Sequence, residues 1–219
     1  MMEKILIATD LSSNSASAIR FALALARSRN VKLIIVHVYH IRKPNNWRMH
    51  RYETYLQIRK LYLNVRLKKF LDKIFSDGNE NPMSLETEIL MNISVISTLI
   101  NTALAQKVSY ICISAKGSGK SENKFGSISS KLIVKAPIPV ICIPSTYRVR
   151  PIEEVCYATD LYNYQKEIQK VVDFARPLLS AVKMLQDAIL FQNGNLSLHS
   201  SGQYVAFTFC SVRKPRQVL

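Results

Sequence analysis

The chain is 219 residues long and 48% hydrophobic, with only six glycines, which is ample for a packed core and too apolar for a disordered chain. Thirty Lys and Arg against fifteen acids give a formal charge of +15, which favours anionic partners such as nucleotides, nucleic acid or an acidic membrane surface and says nothing about fold. Met1-Met2-Glu3-Lys4 brings charge too early for a signal peptide, and the apolar stretches fall short of the roughly 18 residues that span a bilayer, so the sequence reads as a cytoplasmic protein with no membrane partner.

Residues 5–8 are a short continuous apolar run, the pattern of a strand buried on both faces, and stop at Thr9-Asp10. Ser12, Ser13 and Asn14 offer helix N-caps. Ala16, Ile19, Ala22, Leu23 and Ala26 then recur at helical spacing, and Arg27 and Arg29 suit the negative end of the helix dipole. Residues 33–39 are a second apolar run, which completes a right-handed βαβ unit. Pro44, Asn45 and Asn46 mark a loop before a long basic helix over about 47–75, where Ile58, Leu61, Val65 and Leu71 are expected to form the packing face.

A third strand is predicted over 85–90, a helix over 95–105, a fourth strand over 108–114, a helix over 128–134 and a fifth strand over 139–143. This βαβαβαβαβ alternation predicts an α/β fold: an open parallel five-stranded sheet with helices on both faces, Rossmann-like. Ligands in such sheets bind outside the carboxyl ends of the strands, so the informative residues should follow strands 1, 2 and 4. Cys112, Cys142 and Cys156 sit in apolar runs and read as small buried hydrophobes of a reducing compartment, and none of the four cysteines is paired at metal-ligand spacing.

An internal repeat divides the chain. Met2-Glu3-Lys4-Ile5-Leu6-Ile7-Ala8-Thr9-Asp10-Leu11 matches Ile152-Glu153-Glu154-Val155-Cys156-Tyr157-Ala158-Thr159-Asp160-Leu161, and Leu25-Ala26-Arg27 in the following helix matches Phe174-Ala175-Arg176. Residues 1–146 read as one complete domain and 150–219 as a truncated second repeat with a divergent basic tail carrying a candidate hairpin over 204–212. A genuine short decoration fits that tail as well as a truncation does.

With these pieces in order, the sequence resembles the universal stress protein family, particularly its tandem-domain bacterial members. The resemblance rests on Ile5-Leu6-Ile7-Ala8-Thr9-Asp10-Leu11-Ser12, on Leu33-Ile34-Ile35-Val36-His37-Val38-Tyr39, and on Ser114-Ala115-Lys116-Gly117 through Phe125-Gly126-Ser127 with Lys135-Ala136-Pro137-Ile138-Pro139-Val140 behind it. It implies a stress-response protein that binds an adenine nucleotide, ATP with magnesium, at the loop after strand 4. Ala8 and Val38 would give backbone contacts to adenine, Asp10 would face the ribose, and Gly117, Gly126 and Ser127 would hold the phosphates.

ATP-binding members carry a Gly, two residues, a second Gly, nine residues, then Gly followed by Ser or Thr. Glycines let the backbone approach phosphate, and the terminal pair opens a helix whose free N–H groups favour an anion. Here Ser114 replaces the first glycine and eight residues separate Gly117 from Gly126, so less conformational freedom is expected at the loop entry. Asp10 also has a plain reading as a strand-end residue that caps a turn. Gly119-Lys120-Ser121 imitates a P-loop ending, but it follows the fourth strand of its domain and lacks the metal-binding Asp that such a site needs. Lys116, Lys120 and Lys124 favour an anion near this loop under either reading.

The sequence carries no acid/base constellation, and slow hydrolysis of a bound ATP is left open. His37, inside the second strand, reads as a packed strand histidine. Two other functions compete. One is an interaction module that binds no nucleotide, pairing as a homodimer through strand 139–143 or within the chain through the second repeat. The other is nucleic-acid binding through the basic helix 42–73, where Trp47, Tyr52, Tyr55 and Tyr62 interleave with cations. The plain reading of that helix is a solvated face with its aromatics packed on the sheet.

Overall fold

A computed structural model describes residues 2–78, 84–117, 126–158, 164–185 and 206–208. Five parallel strands run in the order β3 (Leu85–Met91), β2 (Val31–Tyr39), β1 (Glu3–Ala8), β4 (Tyr110–Ser114) and β5 (Val140–Ile143). β1 pairs with β2 from Glu3↔Val31 to Ala8↔Val36, and with β4 from Ile5↔Tyr110 to Ala8↔Ile113. Beyond β5 the sheet gains a short sixth strand, β8 (Ala206–Thr208), antiparallel to β5 in the register Val140↔Thr208. The edge expected as a pairing surface is thus already taken by the same chain. Of the candidate hairpin at 204–212, only this strand lies within the described residues.

The period of two along each strand sorts its residues into two apolar layers. Ile5 and Ile7, Leu33 and Ile35, Cys112, and Ile141 and Ile143 face one layer. Helices α1 (Ala16–Ser28) and α2 (Met49–Gly78) close that side. Leu6 and Ala8, Ile34 and Val36, Ile111 and Ile113, and Val140 and Cys142 face the other, under α3 (Val95–Ala105) and α4 (Ser127–Lys135). Burial on both faces is why these strands read as unbroken apolar runs.

Three expectations are corrected. The N-cap of α1 is Ser15, one residue after the candidates; Ser12 and Asn14 instead accept through their carbonyls from Ser15 and Ser17. The packing face of α2 is Leu63, Leu67, Leu71 and Ile74, all buried, whereas Ile58 is 59%, Leu61 67% and Val65 55% exposed. The helix carries two apolar stripes, and the sheet takes the one nearer its carboxyl end. Cys112 and Cys142 are buried, but Cys156 is exposed on a strand with cover on one side.

The thiols follow their burial. Desolvation pushes Cys112 far above its ordinary range and Cys142 up to about 12. In the native protein at pH 8, an alkylating reagent should therefore modify Cys156 and spare Cys112 and Cys142 until denaturant is added. Peptide mapping checks this; labelling of Cys112 before unfolding would contradict the packing described.

A second βαβ unit follows: β6 (Glu154–Ala158), α5 (Tyr164–Ala175), a 3-10 turn (Arg176–Leu178) and β7 (Ala181–Leu185), with β6 parallel to β7 in a sheet of their own. Val155, Tyr157, Val171 and Phe174 join the same buried layer as α1. Phe174 stands edge-on to Tyr110 at 5.6 Å, and the Arg29 guanidinium lies 4.8 Å from its ring centre. Arg29 also bonds the Phe174 carbonyl and both carboxylate oxygens of Glu3, each of the latter at 3.2 Å. Glu3 and Tyr110 open β1 and β4, so the second unit is anchored at the amino ends of the strands.

Candidate functional site

A cavity of about 510 Å³ lies at the opposite end, where β1 and β4 diverge and the strand order reverses. Chains leaving adjacent strands toward opposite faces open a crevice at such a point. Ala8, Asp10, Val38, Gly117, Gly126 and Ser127, the six residues singled out from the sequence, all line it. They come from the ends of β1 and β2, the turn after β4 and the start of α4.

The cavity has an apolar side and a polar side. Ala8, Val36, Val38 and Ile113 contribute strand side chains, and Val95 and Leu99 face in from α3. Across from them lie Asp10, Lys116, Gly117, Gly126 and the serines Ser127, Ser129 and Ser130.

Asp10 is exposed and held by a local turn. The Ser12 N–H at 3.0 Å and its hydroxyl at 2.5 Å donate to Asp10 Oδ1. The two readings of Asp10 therefore meet in one residue: it caps a turn and it lines the cavity. The turn is kept sharp by Leu11, whose φ of 61° lies in the left-handed region, a conformation that costs a side-chain-bearing residue about 1–2 kcal/mol. Leu11 donates its N–H to Thr9 Oγ1 at 3.1 Å, and Thr9 Oγ1 bonds Ser15 Oγ at 2.8 Å in a buried pair. His37 is buried, with Nδ1 2.9 Å from the Thr9 carbonyl. It is a packed strand histidine that also fixes the end of β1.

Gly117 sits under Asp10. A Cβ at this position would lie 2.8 Å from Asp10 Oδ2, closer than real Cβ contacts, so any side chain here displaces the carboxylate. Asn14 ties the same residue to the β1 turn by donating to the Gly117 carbonyl at 2.8 Å. Gly126 is different. Its φ is −71°, and a Cβ would meet the Ala115 carbonyl at an ordinary 3.5 Å. It is the N-cap of α4 and donates to the Ala115 carbonyl at 2.6 Å; Ser129 Oγ donates to the Ala115 carbonyl at 2.9 Å.

The first intrahelical bond of α4 runs from the Ser130 N–H to the Gly126 carbonyl at 3.1 Å. The N–H groups of 127–129 therefore have no intrahelical acceptor, and with the helix dipole they make an anion-favouring end.

Ser114, which replaces the first glycine, closes β4 as a buried strand residue and accepts from Ser17 Oγ at 3.3 Å. The only non-glycine residues in the left-handed region, among those described, are Leu11, Lys107 and Leu179. Position 114 thus demands no glycine, and the expected loss of freedom at the loop entry costs nothing in this backbone. Lys120, Lys124 and the P-loop imitation at Gly119-Lys120-Ser121 lie outside the described residues, as does Asp160. The α3 pair Val95 and Leu99 escaped the sequence reading, because they reach the cavity from an element far away in the chain, and Ser129 lines it from the first turn of α4 without a motif to mark it. Among the described residues no cluster of His, Cys, Asp and Glu could hold a metal ion, and no helix is long and apolar enough to cross a membrane.

A parallel sheet of order 3-2-1-4-5 with its cavity at the switch point defines the doubly wound α/β class. The family model for the universal stress protein family matches residues 1–144, and the chain belongs to that family; it is a stress-response protein of the universal stress type.

Solved structures agree on the fold. Universal stress protein UspA from Lactobacillus plantarum is 19% identical with a TM-score of 0.54, over 64% of this chain and 97% of that one. A functionally unknown protein from Pseudomonas aeruginosa PAO1 is 14% identical with a TM-score of 0.52. That likeness spans 84% of this chain and 60% of the other, and so extends past the first 144 residues. A universal stress protein solved in complex with cAMP is 18% identical, over 66% of this chain and 98% of that one, and its TM-score of 0.48 is too low to carry its ligand across. None of the curated proteins compared with the chain matches it.

Proposed function

We propose that the cavity binds an adenine nucleotide, ATP with magnesium as its counter-ion, and that the chain works as a nucleotide-responsive stress protein rather than a committed enzyme. The observation that supports this most directly is the convergence of Ala8, Asp10, Val38, Gly117, Gly126 and Ser127 on one cavity. A flat base suits the apolar side between the strand ends and α3. The Asp10 carboxylate, which lines the cavity, suits ribose hydroxyls. Phosphates suit the free N–H groups of α4, with Lys116 supplying positive charge.

The cavity offers positioning and electrostatics; among the described residues the histidine nearest it, His37, spends Nδ1 on the Thr9 carbonyl. In this reading residues 1–146 are the nucleotide domain and 150–219 a truncated second repeat, which supplies an intramolecular buttress in place of a full second site.

Calorimetric titration of the full chain with ATP, with and without magnesium, tests the reading. Saturable binding that weakens on Asp10→Ala is expected, as is adenine nucleotide in the freshly purified protein. No affinity at millimolar ATP would overturn it. The competing module, a homodimer paired through β5, has less support, because β8 already bonds that edge.

A further inference from the structure

We propose that the exposed face of α2 is a docking seam for a partner helix that is amphipathic and acidic. This proposal is independent of the nucleotide reading, since no residue of α2 lines the cavity. The helix is 30 residues long, yet its buried positions Leu63, Leu67, Leu71 and Ile74 all fall from its midpoint onward, and none of residues 49–62 is buried. Its amino-terminal half touches the rest of the molecule along one side only, where Tyr52, Leu56 and Arg59 are half-buried and the Tyr52 hydroxyl donates to the Ile41 carbonyl at 2.8 Å.

On this helix a second apolar stripe faces solvent. Tyr55, Ile58, Tyr62 and Val65 are all exposed, and their spacing alternates three and four residues, the a and d positions of a coiled-coil seam. Leu63, Leu67 and Ile74 then fall at b and f, so the seam points away from the sheet. The e positions of the same frame are Arg59, Arg66 and Lys73, a cation in every heptad, and Lys68 occupies a g position. Arg51 and Lys69 occupy the seam positions just before and just after the apolar four.

The aromatic members are held in place before any partner arrives. The Arg59 and Arg66 guanidinium groups lie 5.1 and 5.9 Å from the Tyr62 ring centre. Trp47 stands edge-on to Tyr55 at 5.3 Å and carries Arg51 at 4.8 Å. Fixed aromatics lower the ordering cost of association.

Charge chooses the occupant. An antiparallel second copy would set cation against cation along the e row, so that self-pairing is disfavoured. Nucleic acid would use the cations but gain nothing from Ile58 and Val65. A bilayer would reward a wide apolar face, whereas this one, even with the exposed Leu61 at a g position, is bounded by charge at both ends and along its e side. A helix with a matching apolar seam and Glu or Asp at its own flanking positions satisfies both rows.

The test uses the full-length protein and two synthetic helices of about three heptads with Ile at a and Leu at d, one with Glu and one with Lys at every e and g position. Fluorescence anisotropy should show the Glu peptide binding at least tenfold more tightly than the Lys peptide. Ile58→Ser with Val65→Ser should abolish that binding, and Arg59→Glu with Arg66→Glu should reverse the preference. Ile58, Val65 and Arg66 are exposed and Arg59 is half-buried over the Tyr62 ring, and none of the four lines the cavity, so circular dichroism and ATP titration should be unchanged in these variants.

The proposal is overturned by absence of saturation up to ~1 mM peptide, by equal binding of both peptides, or by self-association of the protein through this face in light scattering. Binding only to vesicles rich in phosphatidylserine, lost on Ile58→Ser with Val65→Ser, would reassign the face to a membrane surface. Binding only to a single-stranded oligonucleotide would reassign it to phosphate.

Discussion

Phe174→Ala lowers the stability of the protein by about 3–5 kcal/mol, the usual cost of emptying a buried aromatic site. The ring is 1% exposed and has two partners that cannot follow it into the space left. Tyr110 packs edge-on from β4, and Arg29 is stacked above the ring while tied to Glu3 and to the Phe174 carbonyl. The truncation also leaves a nearly buried guanidinium beside a void, which adds the penalty of poor solvation to that of lost packing. For a chain of this size each kcal/mol is worth about 2–4 °C in melting temperature, so the drop should be on the order of 10 °C by calorimetry. A loss below ~1 kcal/mol would mean that the second unit is not part of the core.

The second large effect is on binding rather than on folding. Gly117→Ala places a methyl 2.8 Å from Asp10 Oδ2. Asp10 is at the surface and its carboxylate can swing away, so stability changes by less than ~1 kcal/mol. The swing breaks the grip of Ser12 on Oδ1 and removes the acceptor pair from the cavity. ATP affinity should fall at least tenfold, about 1.4 kcal/mol. Asp10→Ala should cost a similar amount, and the double variant should be little worse than either single one, because both act through one carboxylate. Strict additivity of the two losses would show that Gly117 acts on the phosphates directly and not through Asp10. Gly126→Ala is the contrast, since its Cβ meets only ordinary contacts.

How much of this was legible in the sequence depends on what kind of force decides each feature. The five parallel strands were legible because burial on both faces writes an unbroken apolar run, and Ile5, Ile34, Ile111 and Ile141 could hardly sit elsewhere. The six cavity residues were legible only through the family resemblance. Composition and spacing alone leave Ala8 and Val38 as ordinary strand residues.

Of the expected packing face of α2 only Leu71 is buried, because Ile58, Leu61 and Val65 are as apolar and as helically spaced as Leu63 and Leu67. Which stripe meets the sheet is settled by where the helix lies across it, a tertiary fact. The reason for Gly117 was likewise hidden. It is a carboxylate on the first turn of the chain, brought over it by the pairing of β1 with β4. Cys156 reads as buried because its strand resembles β1, but among the described residues β6 has only β7 beside it.

The antiparallel closure of β5 by β8 gives the sheet a history as well as a shape. The chain is made from its amino end, so Val140 to Ile143 emerge with an open row of backbone donors and acceptors on their outer side. Their partner, Ala206 to Thr208, is synthesised later, on the order of several seconds at ~5–20 residues per second. During that interval the nascent protein carries a short, flat, aliphatic ribbon able to recruit a neighbouring nascent chain. Crowded polysomes and slow elongation lengthen the exposure, and the arrival of Ala206 to Thr208 ends it.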